Sequence, residues 1–200
     1  MRAFVIGLLL LAIALPARAE VVDAVVASVH NRIIALSTLM AYRQAFVPRS
    51  DLDAALNALV DERLLADEAR RYGQAVDPKT LAATLKLMPT PAGMTSDEWG
   101  DVLDDHLLSA QFLSFRFGDF AMVSRAAMIA YFKAHRAQFP GHFAQNEERI
   151  RSLLAPAERR REEQAYVETL RASAQVQYNP ALPLTKPSPA RYNGGQEAHP

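Results

Sequence analysis

The residue types that could do chemistry are present but scattered. Histidines stand at 30, 106, 135, 142 and 199, and none belongs to a His-Glu-x-x-His pattern. That spacing would put two imidazoles on one helical face beside a glutamate that activates water. His135 and His142 straddle Pro140-Gly141, so they share no helical face. Asp104, Asp105 and His106 are consecutive, and consecutive helical residues point about 100° apart. They read as a solvated face with His106 at the core edge, and Asp61-Glu62 and Asp67-Glu68 fail as acid–base pairs for the same reason. Ser37, Ser96 and Ser124 each precede an apolar-periodic stretch, so they read as helix N-caps rather than nucleophiles. The glycines form no phosphate-cradling loop. Cysteine is absent, which removes disulfides, thiol nucleophiles and thiolate metal ligands together. Lys+Arg and Asp+Glu both number 22, against the basic excess of an electrostatic nucleic-acid binder. Arg159-Arg160-Arg161 is flanked by Glu158, Glu162 and Glu163, the pattern of a solvated helix. The expectation is no catalytic residue, no metal site and no cofactor.

Apolar surface is the remaining candidate. Leu107, Leu108, Phe112, Leu113, Phe115, Phe117 and Phe120 occupy every side of one helical segment. Five of the nine phenylalanines lie between Phe112 and Phe132. A helix that is apolar all round is either buried completely or partly presented to a partner. Leu108, Phe112, Phe115, Phe120, Met128 and Phe132 are therefore the expected peptide-contact residues, with Met128 supplying adaptable surface.

These residues need a frame, and the chain is organised around Leu52 to Gly73. Leu52, Leu56, Leu59, Val60, Leu64, Leu65, Ala69 and Tyr72 recur at helical spacing. Asp51 is placed to cap the start, Gly73 to take a left-handed turn at the end, and Asp67 to pair with Arg71. Before it, β-branched residues from Val21 to Leu36 predict a hairpin turning at His30-Asn31-Arg32, with Asn31 left-handed. Ser37 then caps a short helix over 38–46. Asp77-Pro78 opens a helix through Leu81, Leu85 and Met88. Ser96 starts the next, with a stripe of Trp99, Val102, Leu103, Leu107, Ala110, Leu113 and Phe117. Ser124 caps a helix to about Gln138. Gln145 to Ser173 is charged and helical, divided in two by Pro156, and 174–178 is a closing strand. The fold class is mostly α with one small sheet, in one domain over 20–178.

The ends differ in composition. Arg2, the apolar run 3–15 and Ala17-Arg18-Ala19 read as a secretory signal peptide over 1–19. Cleavage there leaves 20 basic and 22 acidic residues, a net charge of −2, and a periplasmic location. No later segment approaches about 18 uninterrupted apolar residues, so stable membrane insertion is not expected. From 179 to 200, Pro180, Pro183, Pro187 and Pro189 and then Gly194-Gly195 read as an extended, disordered tail.

The order of these signals resembles SurA/PpiC-type periplasmic chaperones. The segment 25–37 resembles that family's opening hairpin and first helix cap, and 57–73 its most recognisable stretch. Val76-Asp77-Pro78 resembles the entry to the next helix. Phe115-Arg116-Phe117 with 129–139 is similar to the helix pair that precedes a parvulin domain. Leu170 to Val176 resembles the end of the C-terminal helix, which in the family folds back onto the N-terminal module. Only about 140–146 separates the two helical parts, which leaves no room for a parvulin domain. The resemblance implies a holdase that binds unfolded outer-membrane or secreted proteins, without isomerase catalysis. A degenerate prolyl isomerase and a dedicated partner of one envelope protein are the alternatives. A homodimer formed by swapping the C-terminal helix is a further expectation.

Overall fold

The computed structural model describes residues 23–118 and 123–182. The expected signal peptide, Phe120 and the tail from 183 lie outside the described residues. Strands β1 (Val25–Val29) and β2 (Arg32–Ala35) form the hairpin. Helices α1 (Leu36–Phe46), α2 (Leu52–Arg71), α3 (Pro78–Leu87) and α4 (Ser96–Phe117) follow. Then come α5 (Arg125–Ala134), a 3-10 turn (Arg136–Gln138), α6 (Phe143–Ser173) and β3 (Val176–Tyr178). The fold is mostly helical with a small antiparallel sheet of order β2-β1-β3. Among the described residues no helix is long and apolar enough to cross a membrane.

Helix α2 forms where its caps place it. Asp51 accepts the Ala54 N–H at 2.7 Å, and Gly73 adopts φ +73° just past the end. Buried residues occur on every side of α2, because the sheet, α1, α4 and α6 all pack against it. Ala55, Leu56, Leu59 and Val60 join Val26, Ile34, Leu39, Tyr42, Trp99 and Leu103 in the main core. Each such leucine contributes about 1.5–3 kcal/mol by leaving water. Leu65, Ala66 and Ala69 continue into a second cluster with Leu108, Phe112, Leu113 and Val167.

Several local expectations are corrected. The left-handed turn residue is His30 (φ +52°), not Asn31. It is held by its N–H donating to Gln175 O at 2.8 Å and its ring bonding Asp67 at 3.1 Å. Ser37 lies inside α1, where the Asp23 carboxylate takes up both its N–H and its hydroxyl. Thr95, not Ser96, caps α4; its hydroxyl accepts the Glu98 N–H while its own N–H donates to Glu98. Asp67 bonds Arg70, Arg32 and His30, and Arg71 bonds Glu68 instead. The buried side of α4 runs through Leu108 and Phe112, with Ala110 exposed. Asn179 to Leu182 turn back on the sheet, with Asn179 bonded to the carbonyls of Val25 and Val26 and Leu182 against the main core.

Helix α6 passes through Pro156 without a break. Pro156 forfeits one backbone hydrogen bond, but packing on both sides of it holds the axis. At 31 residues α6 is about 46 Å long. Its second half packs on α2 and α4. Its first half packs on α5, burying Met128, Phe139 and Ile150 in a separate small cluster. The described chain thus has a body, built on α2, and a lobe made of α5, the 3-10 turn and the first half of α6.

Candidate functional site

The six expected contact residues are not brought together. Leu108 and Phe112 are sealed in the second cluster of the body, and Met128 is sealed in the lobe. These three are corrected from surface to core: a small domain buries its largest side chains first, and α2 and α6 supply the cover. Phe132 is half-buried against Phe139 and Phe143 in the lobe. Phe115 alone stands free on the surface, 70% exposed. Phe120 lies outside the described residues.

Phe115 has company that the sequence reading placed in the core. Tyr72 follows the last residue of α2 and is 60% exposed. Its ring lies 5.9 Å from that of Phe112, which is 6.1 Å from Tyr166 of α6, which is 5.8 Å from Phe117. The guanidinium of Arg116 lies 4.3 Å from the Tyr166 ring. Phe115 is one helical turn beyond Phe112 on α4. An aromatic row therefore runs across the ends of α2 and α4 onto α6, with its outer members in water. Tyr166 donates from its hydroxyl to Glu68 at 3.1 Å. Burial and then that carboxylate raise the Tyr166 pKa, which keeps the phenol protonated and donating. The helical period alone assigned Tyr72 to the stripe; its position at the C-cap was the signal that it would turn outward.

Beside this row lies an ionic frame. Asp105 is only 1% exposed, which overturns the reading of 104–106 as a solvated face. It accepts from Arg32 at 2.7 and 3.1 Å and from Arg70 at 2.7 Å, and Arg63 Nε is 3.6 Å away. Arg70 also binds Asp104 at 2.6 Å, and Asp67 takes both Arg32 and Arg70 at 3.2 Å. Arg63 donates to the carbonyl of Ile33 at 2.8 Å, which closes part of the β2 edge. Burial, then the neighbouring Arg32, lower the Arg63 pKa. Burial alone would lower Arg70, but its bonds to Asp105 and Asp104 raise it. Arg171 of α6 reaches Asp61 and the Asn57 carbonyl, tying the return helix to α2. Burial raises the Asp61 pKa against the opposing pull of Arg171. Glu62 accepts from Tyr42 at 2.8 Å and meets His106 Nδ1 at 3.1 Å. No local signal marked these charges as buried: Asp61-Glu62-Arg63 lie between Val60 and Leu64 as the polar side of an amphipathic helix does, and they are buried because the sheet, α1, α4 and α6 cover α2 on every side.

The frame joins elements: its carboxylates and guanidiniums are engaged with one another across β2, α2 and α4. Among the described residues no serine or threonine hydroxyl is hydrogen-bonded to the His106 imidazole, and no trio of His, Asp or Glu has the geometry to hold a metal ion. A cleft of about 200 Å³ between His30, Asp67, Glu68, Leu170 and Ser173 is small beside the several hundred Å³ of typical ligand pockets. What the surface offers is aromatic area with a guanidinium at its rim. Comparison with known proteins yields no matching family model and no matching curated protein.

Proposed function

We propose that the chain is an exported holdase, which binds unfolded segments of envelope proteins through exposed aromatic surface and makes or breaks no bond. The observation that carries this reading is exposed aromatic surface at the ends of α2 and α4: Tyr72, 60% exposed with its ring 5.9 Å from that of buried Phe112, and Phe115, 70% exposed one helical turn beyond Phe112. Large exposed rings on a rigid support bind apolar segments at low entropic cost, because the support is already ordered. Binding follows buried area, at about 25 cal/mol per Å², so sequence preference is weak. The resemblance of 25–37, 57–73, 115–117 and 129–139 to SurA-type chaperones supports the same reading, and so does the expected signal peptide.

The test is aggregation of an unfolded outer-membrane or secreted protein with the full chain at equimolar amount. Suppression is expected, and Tyr72→Ala with Phe115→Ala should remove most of it while circular dichroism stays unchanged. A folded protein that leaves aggregation untouched sinks the proposal. A pull-down that returns one stoichiometric partner, without general suppression, would favour a dedicated interaction module.

A further inference from the structure

The lobe carries positive charge beyond what the carboxylates of the described residues answer. Over 123–156 the chain has Arg125, Lys133, Arg136, Arg149 and Arg151 against Glu147 and Glu148, a net +3. Both of those glutamates bind Arg151. The other cations therefore have no carboxylate partner among the described residues. Three of them lie instead over phenylalanine rings: Arg125 at 5.8 Å from Phe143, Arg136 at 4.5 Å from Phe132 and Arg149 at 5.4 Å from Phe139. The rings touch in turn, Phe143 to Phe132 at 5.7 Å and Phe132 to Phe139 at 6.4 Å. Arg136 also donates to the carbonyls of Phe139 and Gly141, so it holds the turn into α6. Among the described residues Arg125 and Arg149 have no such structural bond. Leu153 is 53% exposed one turn beyond Arg149 on the same side of α6.

We infer that the lobe is a second docking surface, which takes acidic segments of unfolded polypeptide in which carboxylates alternate with apolar side chains. A guanidinium that lies over a ring and has no ion-pair partner still offers N–H groups that match a carboxylate in two-point geometry. Leu153 and the half-buried rings supply the apolar contacts between the charges. The body over 23–118 has nine cations against thirteen carboxylates, a net −4. It repels an extended polyanion such as an anionic bilayer or a nucleic acid, whereas a short segment feels only the lobe, within a Debye length of about 8 Å. This rests on the chain being a binder of unfolded polypeptide. It adds charge selection at a place separate from Tyr72 and Phe115.

The experiment uses the full chain and two short labelled peptides, one alternating Glu with Leu and one with Gln in place of Glu, read by fluorescence anisotropy. The acidic peptide should bind about tenfold tighter at low ionic strength, and the preference should shrink as salt is added. Arg125→Ala with Arg149→Ala should abolish the preference, and Arg125→Lys with Arg149→Lys should keep part of it. Equal binding of the two peptides by the wild type overturns the inference and needs no variant to fold. So does a preference that survives in the alanine double variant. Binding to anionic phospholipid vesicles that the same double variant loses, with no acidic-peptide preference, would assign the surface to lipid and overturn it as well. Aggregation suppression by wild type in any of these cases leaves the holdase reading standing, so the two failures are distinguishable.

Discussion

The body and the lobe use arginine in opposite ways. In the body, Arg32, Arg63, Arg70 and Arg171 reach carboxylates on other elements, and Asp105 and Asp61 are buried beneath them. In the lobe, Arg125, Arg136 and Arg149 rest on phenylalanine faces at the surface. A buried ion pair is weak evidence for net stability, because desolvation offsets much of the attraction. It is strong evidence for position, since only one arrangement satisfies all partners. The body's charges therefore fix how hairpin, α2, α4 and α6 meet, whereas Arg125 and Arg149 of the lobe join no two elements by an ion pair among the described residues.

Breaking the comparison on the body side should have the largest effect. Asp105→Ala leaves Arg32, Arg63 and Arg70 crowded without their shared carboxylate. A loss of about 3–5 kcal/mol is expected in urea unfolding. Asp105→Asn should recover part of the packing but little of that energy. In the lobe the matching experiment is Phe139→Ala, which empties the centre of the cluster with Met128 and Ile150. The cost of such a truncation is about 3–5 kcal/mol where the site cannot collapse. Because this cluster is separate from the other two, the loss should stay local. Hydrogen exchange should speed up across α5 and the first half of α6 while α2 amides keep their protection. Uniform acceleration through α2 would show that the two regions unfold as one unit.

The contrast also explains what was readable in advance. Signals confined to a few residues were legible: Asp51 and Gly73 bound α2, Asp77-Pro78 opens α3, Ser124 caps α5 and Val176 to Tyr178 closes the sheet. Signals that depend on distant partners were not. Ser37 looks like a cap until Asp23 arrives from 14 residues away. Asp105 looks solvated until Arg32 arrives from 73 residues away. Pro156 looks like a break because its lost bond is local and its compensation is tertiary. Phe112 and Phe115 have the same composition around them, and only the direction of α2 decides which is buried. Thr95 and Ser96 are adjacent and both competent to cap; Glu98, three residues after Thr95, was the deciding signal.

That capping box gives a smaller, well-defined prediction. Thr95→Ala should cost about 0.5–2 kcal/mol by freeing the Glu98 N–H. The Thr95 N–H and hydroxyl hold the Glu98 pKa below the usual glutamate range. A depressed carboxylate stabilises the fold above its unfolded pKa, and the contribution is lost as pH falls through the lower, folded value. The gap between wild type and Thr95→Ala should therefore narrow in that acid window, measured by urea unfolding at stepped pH. Because the box lies in the body but far from Asp105, the two effects should add.

Glu163 sharpens the comparison with the smallest effect. It is a buried carboxylate of the body half of α6, yet its ion-pair partner is Arg159 of the same helix, at 3.4 Å. If body carboxylates matter because they join elements, this one should be dispensable. Burial raises its pKa, against the pull of Arg159 and Arg160. For a carboxylate raised on folding the sign is reversed from Glu98: its contribution is fully present below the unfolded value near 4.5 and is lost as pH rises through the folded value. Ionised Glu163 is thus a small burden at neutral pH. Glu163→Gln should match or exceed the wild type there by less than about 1 kcal/mol, with the advantage vanishing below pH 4.5. A clear loss of stability at pH 7 would mean that Glu163 serves α6 through a partner across the body, and that the division between joining and merely buried carboxylates does not hold.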